Sequence, residues 1–138
     1  MMDGMNAATG QCLCGTITFR ISGELRDVYN CHCNRCRRFT GHHMAATAAD
    51  TGDLIVEDEG SNLRWYYAVP GAAYGFCARC GSSLFWRSPG RPSTVSICAG
   101  AIDPTHAPTD DPSLVDQRGQ RLSHSARSAG TRDRMRIP

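Results

Sequence analysis

The chain has 138 residues, 41% of them apolar and 20% charged, with a formal net charge of +2. That is one domain of ordinary size, or a smaller one with a tail; it is too apolar to be disordered throughout and too nearly neutral for a strongly electrostatic nucleic-acid binder. No run approaches the ~18 apolar residues that span a bilayer, and the first residues lack the apolar stretch of a signal peptide, which predicts a cytoplasmic protein with no membrane partner.

In chain order the pattern predicts a mainly β fold, a small domain of short antiparallel strands. Residues 16–22 alternate with period two, Ile17, Phe19 and Ile21 on one face and Thr16, Thr18 and Arg20 on the other. Residues 26–31 form a second short strand, and residues 34–40 a single helical turn ended by Gly41. Further strands are predicted at 44–49, 54–57 and 63–68. Phe76 leads into a cysteine turn, residues 84–87 return from it as a hairpin partner, and 94–98 is the last strand. All ten aromatic residues lie between Phe19 and Trp86. Trp65, Tyr66, Tyr67, Phe76, Phe85 and Trp86 are read as core, with one or two walling a site at a strand edge. Residues 1–9 read as an N-terminal extension, 10–106 as the domain, and 107–138, which hold six Arg, four Asp and no aromatic, as a divergent, disordered tail.

Cysteine carries the chemistry. Seven of the eight fall in three clusters: Cys12-Leu-Cys14-Gly15, Cys31-His-Cys33-Asn-Arg-Cys36 and Cys77-Ala-Arg-Cys80-Gly81. In a reducing compartment clustered thiols point to metal rather than to disulfides. Residues i and i+2 of a strand share a face, and a Cys-x-x-Cys turn also converges two sulfurs, with a following Gly free to take positive φ. Soft thiolates favour zinc, and common iron–sulfur spacings are longer or more regular. Seven sulfurs fit one closed four-sulfur site and one open three-sulfur site, or two closed sites with an eighth ligand from Cys98, His32, His42 or His43. Spacing favours Cys31, Cys33 and Cys36 as a compact triad, leaving Cys12 and Cys14 to meet Cys77 and Cys80 across the fold. A β domain this small gains stability from such a metal, so zinc and folding are coupled.

Together these residues resemble the glutathione-dependent formaldehyde-activating enzyme family, whose domain also occurs in centromere protein V. The likeness runs through Gly10-Gln11-Cys12-Leu13-Cys14-Gly15, Cys31-His32-Cys33-Asn34-Arg35-Cys36-Arg37, Thr40-Gly41, Phe76-Cys77-Ala78-Arg79-Cys80-Gly81, Leu84-Phe85-Trp86 and Gly100-Ala101-Ile102-Asp103. The resemblance implies two zinc ions per chain: a structural one on Cys12, Cys14, Cys77 and Cys80, and a catalytic one on Cys31, Cys33 and Cys36 with an open position. It also implies a carbon–sulfur lyase activity, the condensation of glutathione, or a similar thiol, with formaldehyde, or a similar aldehyde, to an S-hydroxymethyl adduct. Beyond about residue 106 the chain departs from the family pattern.

Arg35, Arg37 and Arg38 flank the triad, where they would bind a glutathione carboxylate or balance the charge of the zinc–thiolate centre. Alternation turns His32 away from the ion, toward packing or support of a ligand. His42 and His43 read as a loop that could line the pocket. Cys98, in an apolar strand with Val95 and Ile97, reads as a small buried hydrophobe. The competing function is a non-catalytic, zinc-stabilised interaction module. A zinc-ribbon nucleic-acid binder lacks its basic stripe, and a thiol oxidoreductase lacks an unligated cysteine pair.

Overall fold

The period-two pattern of Ile17, Phe19 and Ile21 needs an apolar surface to lie against, and the computed structural model supplies one. It describes residues 7–68 and 71–104. Strands β1 (Ala8–Gln11), β2 (Thr18–Ile21) and β5 (Leu54–Glu57) form a three-stranded antiparallel sheet in the order β1-β2-β5. A second antiparallel sheet of six strands is ordered β3-β4-β9-β8-β7-β6: β3 (Tyr29–Cys31), β4 (Met44–Asp50), β9 (Thr94–Cys98), β8 (Ser83–Arg87), β7 (Ala72–Cys77) and β6 (Leu63–Ala68). One seven-residue helix, α1 (Asn34–Thr40), lies between β3 and β4 in the chain. The fold is mainly β, as the sequence predicts.

The six-stranded sheet has two working faces. On one, Val95, Ile97, Leu84 and Phe85 pack against Ile17, Phe19 and Ile21 of the small sheet, all 3% exposed or less. On the other, Met44, Ala46, Tyr74 and Cys98 gather with Cys36 of α1. Phe19 meets Phe85 edge-on at 5.2 Å between ring centroids, which fixes the distance between the sheets. A register shift between Gly75 and Phe76 lets Leu84 and Phe85 both face the first core.

Several elements differ from the sequence reading. Ala8 and Thr9, read as the end of an extension, begin β1, and Gly10 is needed there because a Cβ would collide with the Phe19 ring and the Ala101 carbonyl. The strand expected at 16–22 is β2 and starts at Thr18, because the Cys12 amide turns back to the Ile17 carbonyl at 3.0 Å. Residues 34–40 make about two turns rather than one, closed by Gly41 at φ 87°. Tyr66 and Tyr67 are 64% and 67% exposed rather than core, because β6 is an edge strand. The tail predicted at 107–138 lies outside the described residues. Among the described residues no helix is long and apolar enough to cross a membrane.

Candidate metal centres and the adjoining cavity

Two groups of thiols converge. The Sγ atoms of Cys12, Cys14, Cys77 and Cys80 all lie within 4.8 Å of one another, and so do those of Cys31, Cys33 and Cys36. All are free thiols. Either group could hold a metal ion.

The four-thiol group is built from two turns that are distant in sequence. One follows β1, where Gly15 takes φ 82° and its amide reaches the Cys12 carbonyl at 3.1 Å. The other follows β7, where Gly81 takes φ 82° and its amide reaches the Cys77 carbonyl at 2.7 Å. Only glycine takes this φ without strain. Backbone amides point at the sulfurs: Ile17 to Cys12 at 3.4 Å, Cys14 to Cys80 at 3.4 Å and Cys80 to Cys77 at 3.5 Å. The Cys12–Cys14 and Cys14–Cys77 sulfur separations are 3.6 and 3.9 Å. A tetrahedral ion with ~2.3 Å bonds to sulfur needs an edge of about 3.8 Å, so the donor set fits zinc.

Two hydroxyls complete this group, and the cysteine pattern gave no sign of them. Thr16 Oγ1 lies 3.2 Å from the Cys14 sulfur, and Ser82 Oγ lies 3.2 Å from that of Cys80 while accepting from the Leu13 amide at 2.8 Å. The Ser82 hydroxyl, with the Cys14 amide, brings the Cys80 pKa down to about 5, against a smaller opposing effect of burial. Burial opposes ionisation of Cys12 as well, yet the Ile17 amide and neighbouring groups lower its pKa. Cys77 shifts up because burial dominates.

The three-thiol group is local. Cys31 ends β3, Cys33 is the N-cap of α1 and Cys36 sits in its first turn. The Cys36 amide donates to the Cys33 sulfur at 3.3 Å, a cap that ties the group's shape to the helix start. Burial opposes ionisation of Cys33, but that amide, the Cys36 and Cys31 thiols and the Arg35 amide together lower its pKa. Exposure is graded: Cys33 is exposed, Cys31 half-buried and Cys36 buried. Burial, and then the Cys33 and Cys31 sulfurs, push Cys36 up to about 12. The Tyr74 hydroxyl, 3.8 Å from the Cys36 sulfur, is raised to about 12 by burial and by Cys36. Sequence reasoning did not single out Tyr74. Its signal is positional: it stands three residues before Cys77 on β7, so alternation gives it the opposite face.

Beside this group lies a cavity of about 670 Å³, lined by Arg35, Arg38, Phe39, Tyr66, Tyr74 and Phe76 among others. Arg35 and Arg38 share that side of α1, whereas Arg37 does not line the cavity. A second groove, of about 920 Å³, passes Cys12, Ser82, Phe39, His43 and Cys98. His32 is exposed; its ring centroid is 5.0 Å from that of His43, which is 4.4 Å from His42. Neither His32, His42, His43 nor Cys98 joins the thiol groups. Cys98 is buried opposite Ala46, and burial pushes its pKa up to about 12.

Comparison with known proteins finds a family and structural neighbours. Residues 7–114 match the family model described as glutathione-dependent formaldehyde-activating enzyme. A crystal structure of a Rhodobacter sphaeroides protein superposes with a TM-score of 0.60 at 27% identity, covering 70% of this chain and 88% of that one. No curated protein matches significantly.

Proposed function

The chain belongs to the glutathione-dependent formaldehyde-activating enzyme family, and from that premise we propose that it is a zinc-dependent carbon–sulfur lyase-type enzyme of the cytoplasm, joining glutathione or a similar thiol to formaldehyde or a similar aldehyde. Cys12, Cys14, Cys77 and Cys80 hold a structural zinc, and Cys31, Cys33 and Cys36 a catalytic one. The observation that carries this reading is the contrast in donor number: four thiols in one group, three in the other, with no further His, Cys, Asp or Glu joining either among the described residues. A saturated site is structural, while a three-ligand site leaves a position for substrate.

Cys31, Cys33 and Cys36 would hold the zinc with one position open, where it would keep a thiol ionised or polarise an aldehyde oxygen. The chain's own residues do the rest. Cys33 presents its sulfur at the surface, and Cys36 is held by Tyr74. Arg35 and Arg38, on the cavity wall, attract a substrate carboxylate and offset the negative charge of three thiolates. Arg37 balances charge from outside the cavity. The addition forms one carbon–sulfur bond, moves the carbonyl electron pair to oxygen, and returns to that oxygen the proton the thiol released. Nothing is oxidised.

The test is zinc per chain before and after a mild chelator, with NMR exchange between formaldehyde and glutathione on the same samples. Two ions, one released easily together with exchange activity, are expected. One tightly held ion and no exchange would sink the enzyme reading. They would favour the second reading, a zinc-stabilised interaction module, for which Tyr66 and Tyr67, exposed on the β6 edge, offer a contact surface.

A further inference from the structure

The cavity beside the triad is poorly matched to formaldehyde, which has one carbon and no use for about 670 Å³. It also suits glutathione poorly. That tripeptide carries two carboxylates, an ammonium group and two amides, and buried polar groups need partners. Among the described residues the cavity wall has four aromatic rings, Phe39, Tyr66, Tyr74 and Phe76, and no acidic residue to receive an ammonium. The Ser83 hydroxyl on that wall is already donated to the Phe39 carbonyl at 3.0 Å. Charge on the wall comes from Arg35 and Arg38, three residues apart on α1 and so neighbours on one helix face. Tyr74 links the cavity to the triad, since its ring packs on Phe39 at 4.9 Å and its hydroxyl lies 3.8 Å from the Cys36 sulfur.

We propose that this cavity binds an aromatic carboxylate, its flat body held between the rings and its carboxylate on Arg35 and Arg38. The thiol or aldehyde it carries is the group presented to the triad. This rests on the reading of the triad as the reaction centre and narrows its substrate class. Aromatic walls hold a flat apolar body, and paired guanidinium groups favour a carboxylate over a neutral polar group.

The test is calorimetric binding to the zinc-loaded full chain. The probes are 4-mercaptobenzoate, 4-formylbenzoate, benzoate, thiophenol and glutathione. At least one carboxylated aryl probe should bind about tenfold or more tighter than glutathione, and thiophenol about tenfold weaker than 4-mercaptobenzoate. Arg38→Gln should remove the advantage of the carboxylate and leave thiophenol unchanged. Tyr66→Ala, at a position 64% exposed, should weaken every aryl probe. Preference for 4-mercaptobenzoate assigns the cavity to the thiol partner, and preference for 4-formylbenzoate to the aldehyde partner; either supports the proposal. Glutathione binding as tightly as every aryl probe, or indifference of all aryl probes to Tyr66→Ala, overturns it. Zinc content and formaldehyde–glutathione exchange on the same preparation separate the two readings. Two zinc ions and exchange without aryl preference overturn the cavity's ligand class alone. One zinc ion and no exchange, with the aryl preference intact, sinks the catalytic reading and leaves the ligand class standing.

Discussion

The two thiol groups differ first in how far the chain must travel to build them. Cys14 and Cys77 are 63 positions apart, and their meeting closes the first turn of the domain onto the hairpin between β7 and β8. Cys31, Cys33 and Cys36 fall within six consecutive residues, at the junction of β3 and α1. They differ also in support. Cys12 and Cys77 are 1% and 0% exposed and belong to the core between the sheets, while Cys33 caps a short helix at the surface. A group that holds distant segments together bears on stability, and a local group at a cavity mouth is free to bear on chemistry.

The largest expected effect sharpens that contrast. Cys77→Ser should cost more than ~4 kcal/mol, enough to leave the chain largely unfolded, because a fully buried core residue and, on the proposed reading, a zinc ligand are lost at once. Thermal unfolding followed by circular dichroism measures this, and a variant melting within a few degrees of the parent would erase the distinction. Cys33→Ser should do the reverse: formaldehyde–glutathione exchange falls about 100-fold or more while the melting temperature moves little. If this variant unfolds instead, both groups are structural.

A smaller pair of changes probes the turns. Gly81 and Gly41 sit at φ 82° and 87°, and a Cβ at either meets nothing within 4 Å. Each Gly→Ala substitution therefore meets only the left-handed backbone penalty, about 1 kcal/mol. The readouts should separate: Gly81→Ala speeds zinc loss from the four-thiol group, and Gly41→Ala speeds it from the three-thiol group. Equal effects on both ions would show that the groups are not independent.

The smallest effect is electrostatic. Cys98 stays protonated in the fold, its pKa raised from 9.0 to about 12 by burial. A folded pKa above the unfolded one contributes stability below pH 9 that is lost as pH climbs toward 12. Between pH 8 and pH 10 the parent should lose about 1 kcal/mol more than Cys98→Ala. Denaturant midpoints at the two pH values decide it, and parallel losses would mean that Cys98 ionises freely.

Much of this was legible in the residues. The alternation of Ile17, Phe19 and Ile21, the glycine-closed turns and the compact triad all follow from local rules, and the structure brings the seven clustered sulfurs together in the grouping that spacing favours. What escaped depends on tertiary position. Strand β1 reads Ala-Thr-Gly-Gln and most of β7 is Ala, Tyr and Gly, so neither has the apolar run that marks a strand; pairing with neighbours makes them strands. Tyr66 and Tyr67 have core-like chemistry, but the edge position of β6 leaves them at the surface. Tyr74 came to the triad through sheet order, which no local spacing encodes.

Strand β7 has a consequence for which length changes the gene can tolerate. Its residues alternate between the two faces of the sheet, so Tyr74 reaches the triad side while Cys77 reaches the other core. Deleting one codon between them would turn one of the two around. Either the hydroxyl would leave Cys36 or the sulfur would leave Cys14. The connections at 58–62 and 88–93 carry no such parity, so insertions and deletions should accumulate there and be purged from the six residues of β7.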